Sequence, residues 1–120
     1  MIQSNILIVE DDMIIAMDIQ ERLESFGDSV PTIVTTGEEA ISKTPELKPD
    51  LIIMDIGLKG SMNGIETVEK IRENFKIPVI YLTGNSDLLK QTNITDPCIV
   101  KPFEDEELKR LITSLLDNLG

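Results

Sequence analysis

Five short apolar runs, each ending at or beside a polar residue, constrain the fold of this chain more than any other feature. They occupy residues 5–9, 29–34, 51–55, 79–83 and 98–101 and are rich in Ile, Val and Leu. Runs this short cannot cross a membrane, and near-continuous apolar character is what a strand covered on both faces requires. Helical periodicity fills the gaps between them. Ala16, Ile19, Leu23 and Phe26 mark one helix face, Ile65, Val68, Ile71 and Phe75 another, and Leu108, Leu111, Ile112, Leu115 and Leu119 a third. The acids at 104–107 suit the first turn of that last helix, where the dipole favours negative charge. Strand and helix patterns in alternation signal βαβ units around a buried parallel sheet, and five of each fit 120 residues.

Local chemistry sets the boundaries. Thr36 or Gly37 starts the second helix, Pro45 and Pro49 bracket its exit, and Gly64 opens the third after a glycine-bearing loop. Pro31 cannot donate to a ladder and is tolerated mainly at a sheet edge. With the second strand at an edge, the order 2-1-3-4-5 follows, and strands one and three lie side by side at the topological switch point. A parallel sheet opens its ligand crevice at the carboxyl ends of its strands. There stand Glu10, Asp11 and Asp12 after ILIV, Asp55 after LIIM, and Lys101 after CIV. Crowded carboxylates are costly unless a cation neutralises them, and all-oxygen ligands suit magnesium. The pattern points to magnesium-dependent phosphoryl chemistry.

Composition removes other classes. A formal charge of -11 repels nucleic acid and anionic membrane, so direct nucleic-acid binding is not expected. With no histidine and one cysteine, Cys98, the chain lacks zinc ligand sets, Ser-His-Asp triads, Cys-His pairs and a disulfide framework. Neither phosphate-binding glycine loop, GxxxxGK[ST] or GxGxxG, is present. The amino terminus has no basic stretch and too short an apolar run for a signal peptide, and the expected compartment is the cytoplasm.

The segments ILIVEDD, TTGEEAI, PDLIIMDIGL, GIE, IPVIYLTG and VKPF stand in an order and spacing that resembles the receiver domain of two-component response regulators, over nearly the whole chain. The resemblance implies a single receiver domain over 1–120, an α/β flavodoxin-like doubly wound five-stranded parallel sheet of order 2-1-3-4-5. It is a (βα)5 arrangement with a short fourth helix, because the stretch 83–101 is shorter than is usual in the family. Asp55 would be the phosphorylated aspartate, both nucleophile and metal ligand. Asp11 would bind magnesium directly, Glu10 would hold a metal-bound water, and Gly57 would offer its backbone carbonyl. Asp12 falls one residue beyond the acidic pair, as a solvated residue or helix cap. Thr83 would hydrogen-bond the phosphoryl group, Gly84 would leave room for it and present an amide, and Lys101 would pair with a phosphoryl oxygen. A cis Lys101-Pro102 bond would help aim the lysine.

The implied activity is transfer of a phosphoryl group from a phosphohistidine to Asp55, followed by autodephosphorylation, with Asn85 tuning access. Such a chain would be a phosphoacceptor rather than a conventional turnover enzyme. A sensor histidine kinase or phosphotransfer protein would act upstream and a protein target downstream. Exposed apolar residues on the fourth or fifth helix could support a homodimer. If the chain is complete, it is a single-domain regulator. Two departures bear on output. Cys98, three residues before Lys101, stands where the family has an aromatic switch residue, and DIGLKGSMNGIE carries an extra residue and lacks the usual proline.

Taken singly, each residue has an ordinary reading. The acids at 10–12 could form a solvated capping turn, Thr83 could simply pack, Gly57, Gly84 and Asn85 are common turn residues, and Cys98 reads as a buried small hydrophobe. Convergence at one end of one sheet favours the site. Two other classes stay open: a stand-alone magnesium phosphohydrolase, against which Gly57 occupies the place of a second aspartate, and a receiver-like interaction module that is not phosphorylated.

Overall fold

Each apolar run forms a strand, and each strand sends alternate side chains to opposite sides of one parallel sheet. The computed structural model describes residues 3–85, 87 and 94–117. The expected short fourth helix and Leu119 lie outside the described residues. In chain order the elements are β1 (Ile6–Val9), α1 (Met13–Ser25), β2 (Ile33–Val34), α2 (Gly37–Leu47), β3 (Leu51–Asp55), α3 (Gly64–Arg72), β4 (Val79–Thr83), β5 (Cys98–Val100) and the C-terminal helix α4 (Asp105–Asp117). The strand order is β2-β1-β3-β4-β5, the flavodoxin-like doubly wound order. Register places Val9 beside Val34 and Met54, Asp55 beside Leu82, and Thr83 beside Val100.

Two cores result. Ile6, Ile8, Ile53, Ile80, Leu82 and Ile99 pack under α1 and α4 against Ala16, Ile19, Leu23, Leu108 and Ile112. Leu7, Val9, Ile52, Met54, Val79 and Tyr81 pack on the other side against Ala40, Val68 and Ile71. Full burial of each large aliphatic side chain is worth about 1.5–3 kcal/mol, so the strands are fixed from both faces. Arg22 fastens α1 to the turn after β5: its guanidinium donates to the Phe103 carbonyl at 3.0 Å, stacks 4.8 Å from that ring and reaches Asp105 at 3.2 Å.

Three expectations need correction. Only Ile33–Val34 of the second run forms a ladder, with Ser29 making an isolated bridge to Asn5, because Pro31 interrupts the pairing at what is indeed the sheet edge. The exit of α2 falls, as expected, between Pro45 and Pro49, the former within its last turn. The Pro45 ring fixes a helical φ at the cost of one hydrogen bond, and the helix stops at Lys48, where φ is +47°. Cys98 is half-buried rather than buried. Among the described residues, the large apolar side chains of α4, the fifth helix of the expected order, are buried or half-buried, whereas the exposed ones are Met13, Ile14 and Met17 on α1 and Val100 on β5; the fourth-helix part of the homodimer expectation lies outside the described residues. Among the described residues, no helix is long and apolar enough to cross a membrane.

Candidate acidic site at the carboxyl edge of the sheet

Strands β1 and β3 are neighbours, so the residues that follow Val9 and Met54 emerge together. Glu10 and Asp55 are buried there, 1% and 6% exposed, and Asp11 stands beside them. Oxygens from Glu10, Asp11 and Asp55 lie within 4.8 Å of one another. Lys101, one residue past β5, reaches across the sheet end to Glu10 Oε1 at 2.8 Å and to Asp55 Oδ1 at 4.0 Å. Two buried acids thus share one lysine, with Asp11 alongside.

Each carboxylate is also oriented by the backbone. Asp12 N–H donates to Glu10 Oε2 at 3.2 Å, Lys59 N–H to Asp11 Oδ2 at 3.2 Å, and Gly57 N–H to Asp55 Oδ1 at 3.0 Å. Asp12 itself turns outward and caps α1, accepting from the amides of Ile14 and Ile15, as its position beyond the pair implied. Lys59 was not singled out in the sequence, and no signal could have found it, since the contact uses an amide that any residue but proline carries.

Electrostatics show the strain of the cluster. Glu10 is pushed up to about 7, first by burial and then by Asp55, with Lys101 pulling the other way. A further cation would relieve that opposition. The donor set is all oxygen, compact and partly neutralised, which fits a small hard divalent ion. An open cavity of about 800 Å³ adjoins Asp11 between Met13, Ile14, Thr35 and Gly60 and gives access from solvent.

Thr83 ends β4 beside the acids and is buried, yet its hydroxyl is engaged locally, donating to the Asn85 carbonyl and accepting from the Asn85 amide, both at 3.0 Å. A Cβ at Gly84 would meet nothing within 4 Å, so packing does not demand glycine there. Asn85 is exposed, and its side chain accepts from Asp87 N–H at 2.9 Å. The Lys101-Pro102 bond is cis. Cys98 sits apart from the acids, opposite Tyr81 on β4, with its thiol donating to the Asp96 carbonyl at 3.6 Å. Burial, then Asp96, pushes that thiol up. The structure therefore brings Glu10, Asp11, Asp55 and Lys101 together, places Thr83, Gly84 and Gly57 at their edge, and leaves Cys98 outside.

Comparison with known proteins agrees with this geometry. A family model described as "Response regulator receiver domain" matches residues 6–113. The phyllosphere-induced regulator PhyR of Methylorubrum extorquens is 32% identical over 116 residues, covering 94% of this chain and 43% of that protein. The chain thus spans less than half the length of that relative. The crystal structure of the anti-anti-sigma factor PhyR from Bartonella quintana superposes with a TM-score of 0.86 at 36% identity, covering 99% of this chain and 49% of that one. The receiver domain of sensor histidine kinase PA1611 from Pseudomonas aeruginosa, solved with a magnesium ion coordinated in its active site cleft, gives a TM-score of 0.85 at 28% identity, covering 97% and 99%.

Proposed function

Because the chain belongs to the response regulator receiver domain family, we propose that it accepts a phosphoryl group on Asp55 from a phosphohistidine in a magnesium-dependent reaction and loses it by autodephosphorylation. The observation that carries this reading is the meeting of Glu10, Asp11 and Asp55 within 4.8 Å beside Lys101. Asp11, Asp55 and the Gly57 carbonyl would hold magnesium directly and Glu10 through water. When bound, the ion neutralises charge shared by the acids and the incoming phosphoryl group.

Asp55 is the nucleophile. A carboxylate oxygen attacks phosphorus in line, the N–P bond breaks, and the electron pair leaves with the donor imidazole. Lys101 is already 4.0 Å from Asp55 Oδ1 and shifts from Glu10 toward the phosphoryl oxygens. The Thr83 hydroxyl exchanges its bond to Asn85 for one to the same group, and the Gly84 amide offers another donor. That exchange gives the domain two states, since Thr83 has different partners with and without phosphate. Water attacking the acyl phosphate at phosphorus restores Asp55, with Asn85 beside the approach and Pro102 aiming Lys101. The partners implied are a histidine kinase or phosphotransfer protein and a downstream protein.

Intact mass after incubation with magnesium and acetyl phosphate tests the reading. One phosphoryl adduct, abolished by chelator and absent in Asp55→Asn, is expected. No adduct with acetyl phosphate unconsumed would overturn it in favour of an interaction module, and sustained turnover of ordinary phosphate esters would favour a phosphohydrolase.

A further inference from the structure

The loop 56–63 leaves the sheet at Asp55 and returns to the same place. Gly64, the first residue of α3, donates its N–H to the Ile56 carbonyl at 3.1 Å, so the two feet of the loop touch. No side chain fits this contact. A Cβ at Gly64 would run into the Asp55 carbonyl oxygen and stand 2.9 Å from both the Asp55 carbonyl carbon and Met54 Cγ. The carbonyl cannot swing aside, because Met54 and Asp55 are paired into the ladder with β1 and β4.

Between its feet the loop carries two amides that orient acids: Gly57 N–H on Asp55 and Lys59 N–H on Asp11. Ile56 and Leu58 anchor the first half in the core. The second half turns at Gly60 with φ +107°, and beyond it Ser61 donates to Glu38, half-buried Met62 lies beside Gly37, and Asn63 caps α3 in a box with Glu66. Those contacts hold the return path, and the approach of Gly64 to the Asp55 carbonyl sets how close its end comes to the site.

We propose that Gly64 is a positioning residue for this site: by admitting α3 against the Asp55 carbonyl, it fixes where the loop presents the Gly57 and Lys59 amides, and through them the carboxylates of Asp55 and Asp11. The inference rests on the phosphoacceptor reading for its role in phosphoryl transfer. Added bulk at 64 parts the feet and misaims both acids.

The test compares Gly64→Ala with Val68→Ala, which loosens the buried packing of α3 away from the feet. Amide NMR of the metal-free proteins reads the Gly57 and Lys59 N–H resonances, and magnesium titration of the same spectra reads affinity. Gly64→Ala should shift both resonances and weaken magnesium binding about tenfold or more, the scale seen when a group orienting a metal ligand is lost. Val68→Ala should lower the unfolding midpoint while leaving both readouts in place. Unmoved resonances and unchanged affinity in a folded Gly64→Ala would overturn the proposal. Should that variant not fold, wild type decides: magnesium should slow hydrogen exchange at Gly64 N–H, and unchanged exchange overturns the coupling. Failure of wild type to form an adduct would sink the phosphoacceptor reading alone, because the spectra judge Gly64 without phosphate.

Discussion

At the amino edge of the sheet, polar groups pair off in solvent, whereas at the carboxyl edge they are buried in a cluster whose charges oppose one another. Asn5 N–H donates to Asp50 Oδ2 at 2.8 Å, Asp50 N–H returns a bond to the Asn5 carbonyl at 2.8 Å, and Ser29 N–H meets the Ser4 carbonyl at 2.7 Å. Those contacts finish the ladder where strands begin. The other end does the reverse: Glu10 and Asp55 are sunk beside each other and must share Lys101. An arrangement that lowers the stability of the empty protein at one end only is the mark of a place shaped for a ligand.

The sharpest way to break this contrast is Asp55→Asn, which should abolish the phosphoryl adduct in intact-mass measurements while leaving the fold intact. Lys101→Met comes next. It leaves Glu10 and Asp55 without their cation, so urea unfolding near neutral pH should show a loss of about 2–3 kcal/mol, and adduct formation from acetyl phosphate should slow about 100-fold.

The third prediction uses pH. Folding raises Glu10 from its ordinary 4.5 to about 7, so the folded state holds the proton more tightly. Its contribution is therefore full below the ordinary value and is lost as pH rises through about 7. Metal-free Glu10→Gln should gain about 1–2 kcal/mol over wild type at alkaline pH, and that gain should shrink on acidification. A gain independent of pH would show that Glu10 is not the titrating group. Smallest of all, Asp50→Ala at the opposite edge should cost about 1 kcal/mol and leave adduct formation unchanged.

Much of the carboxyl edge was legible because strand ends are local features of a sequence. Pro31 marked the edge strand, apolar runs marked the ladder, and the polar residues after them marked the crevice. What could not be read depends on contacts that no residue type announces. Lys59 acts through its amide, and the closeness of Gly64 to Asp55 is a property of the returning loop. Pro45 and Pro49 did bracket the end of α2, since a proline ring leaves φ helical and the helix runs on to Leu47 between them. On α1, Met13, Ile14 and Met17 lie off the stripe of Ala16, Ile19 and Leu23, and their exposure follows from which neighbours the sheet supplies.

The strand order has a consequence for how the site comes into being. Glu10 and Lys101 are 91 positions apart and meet only when β3 and β4 have been laid down between the strands that carry them. Closing contacts of such long range is the late, entropically expensive part of assembly. A nascent or frayed chain without β5 therefore holds its acids with no counter-charge, and the complete constellation appears only in a molecule whose sheet has finished forming.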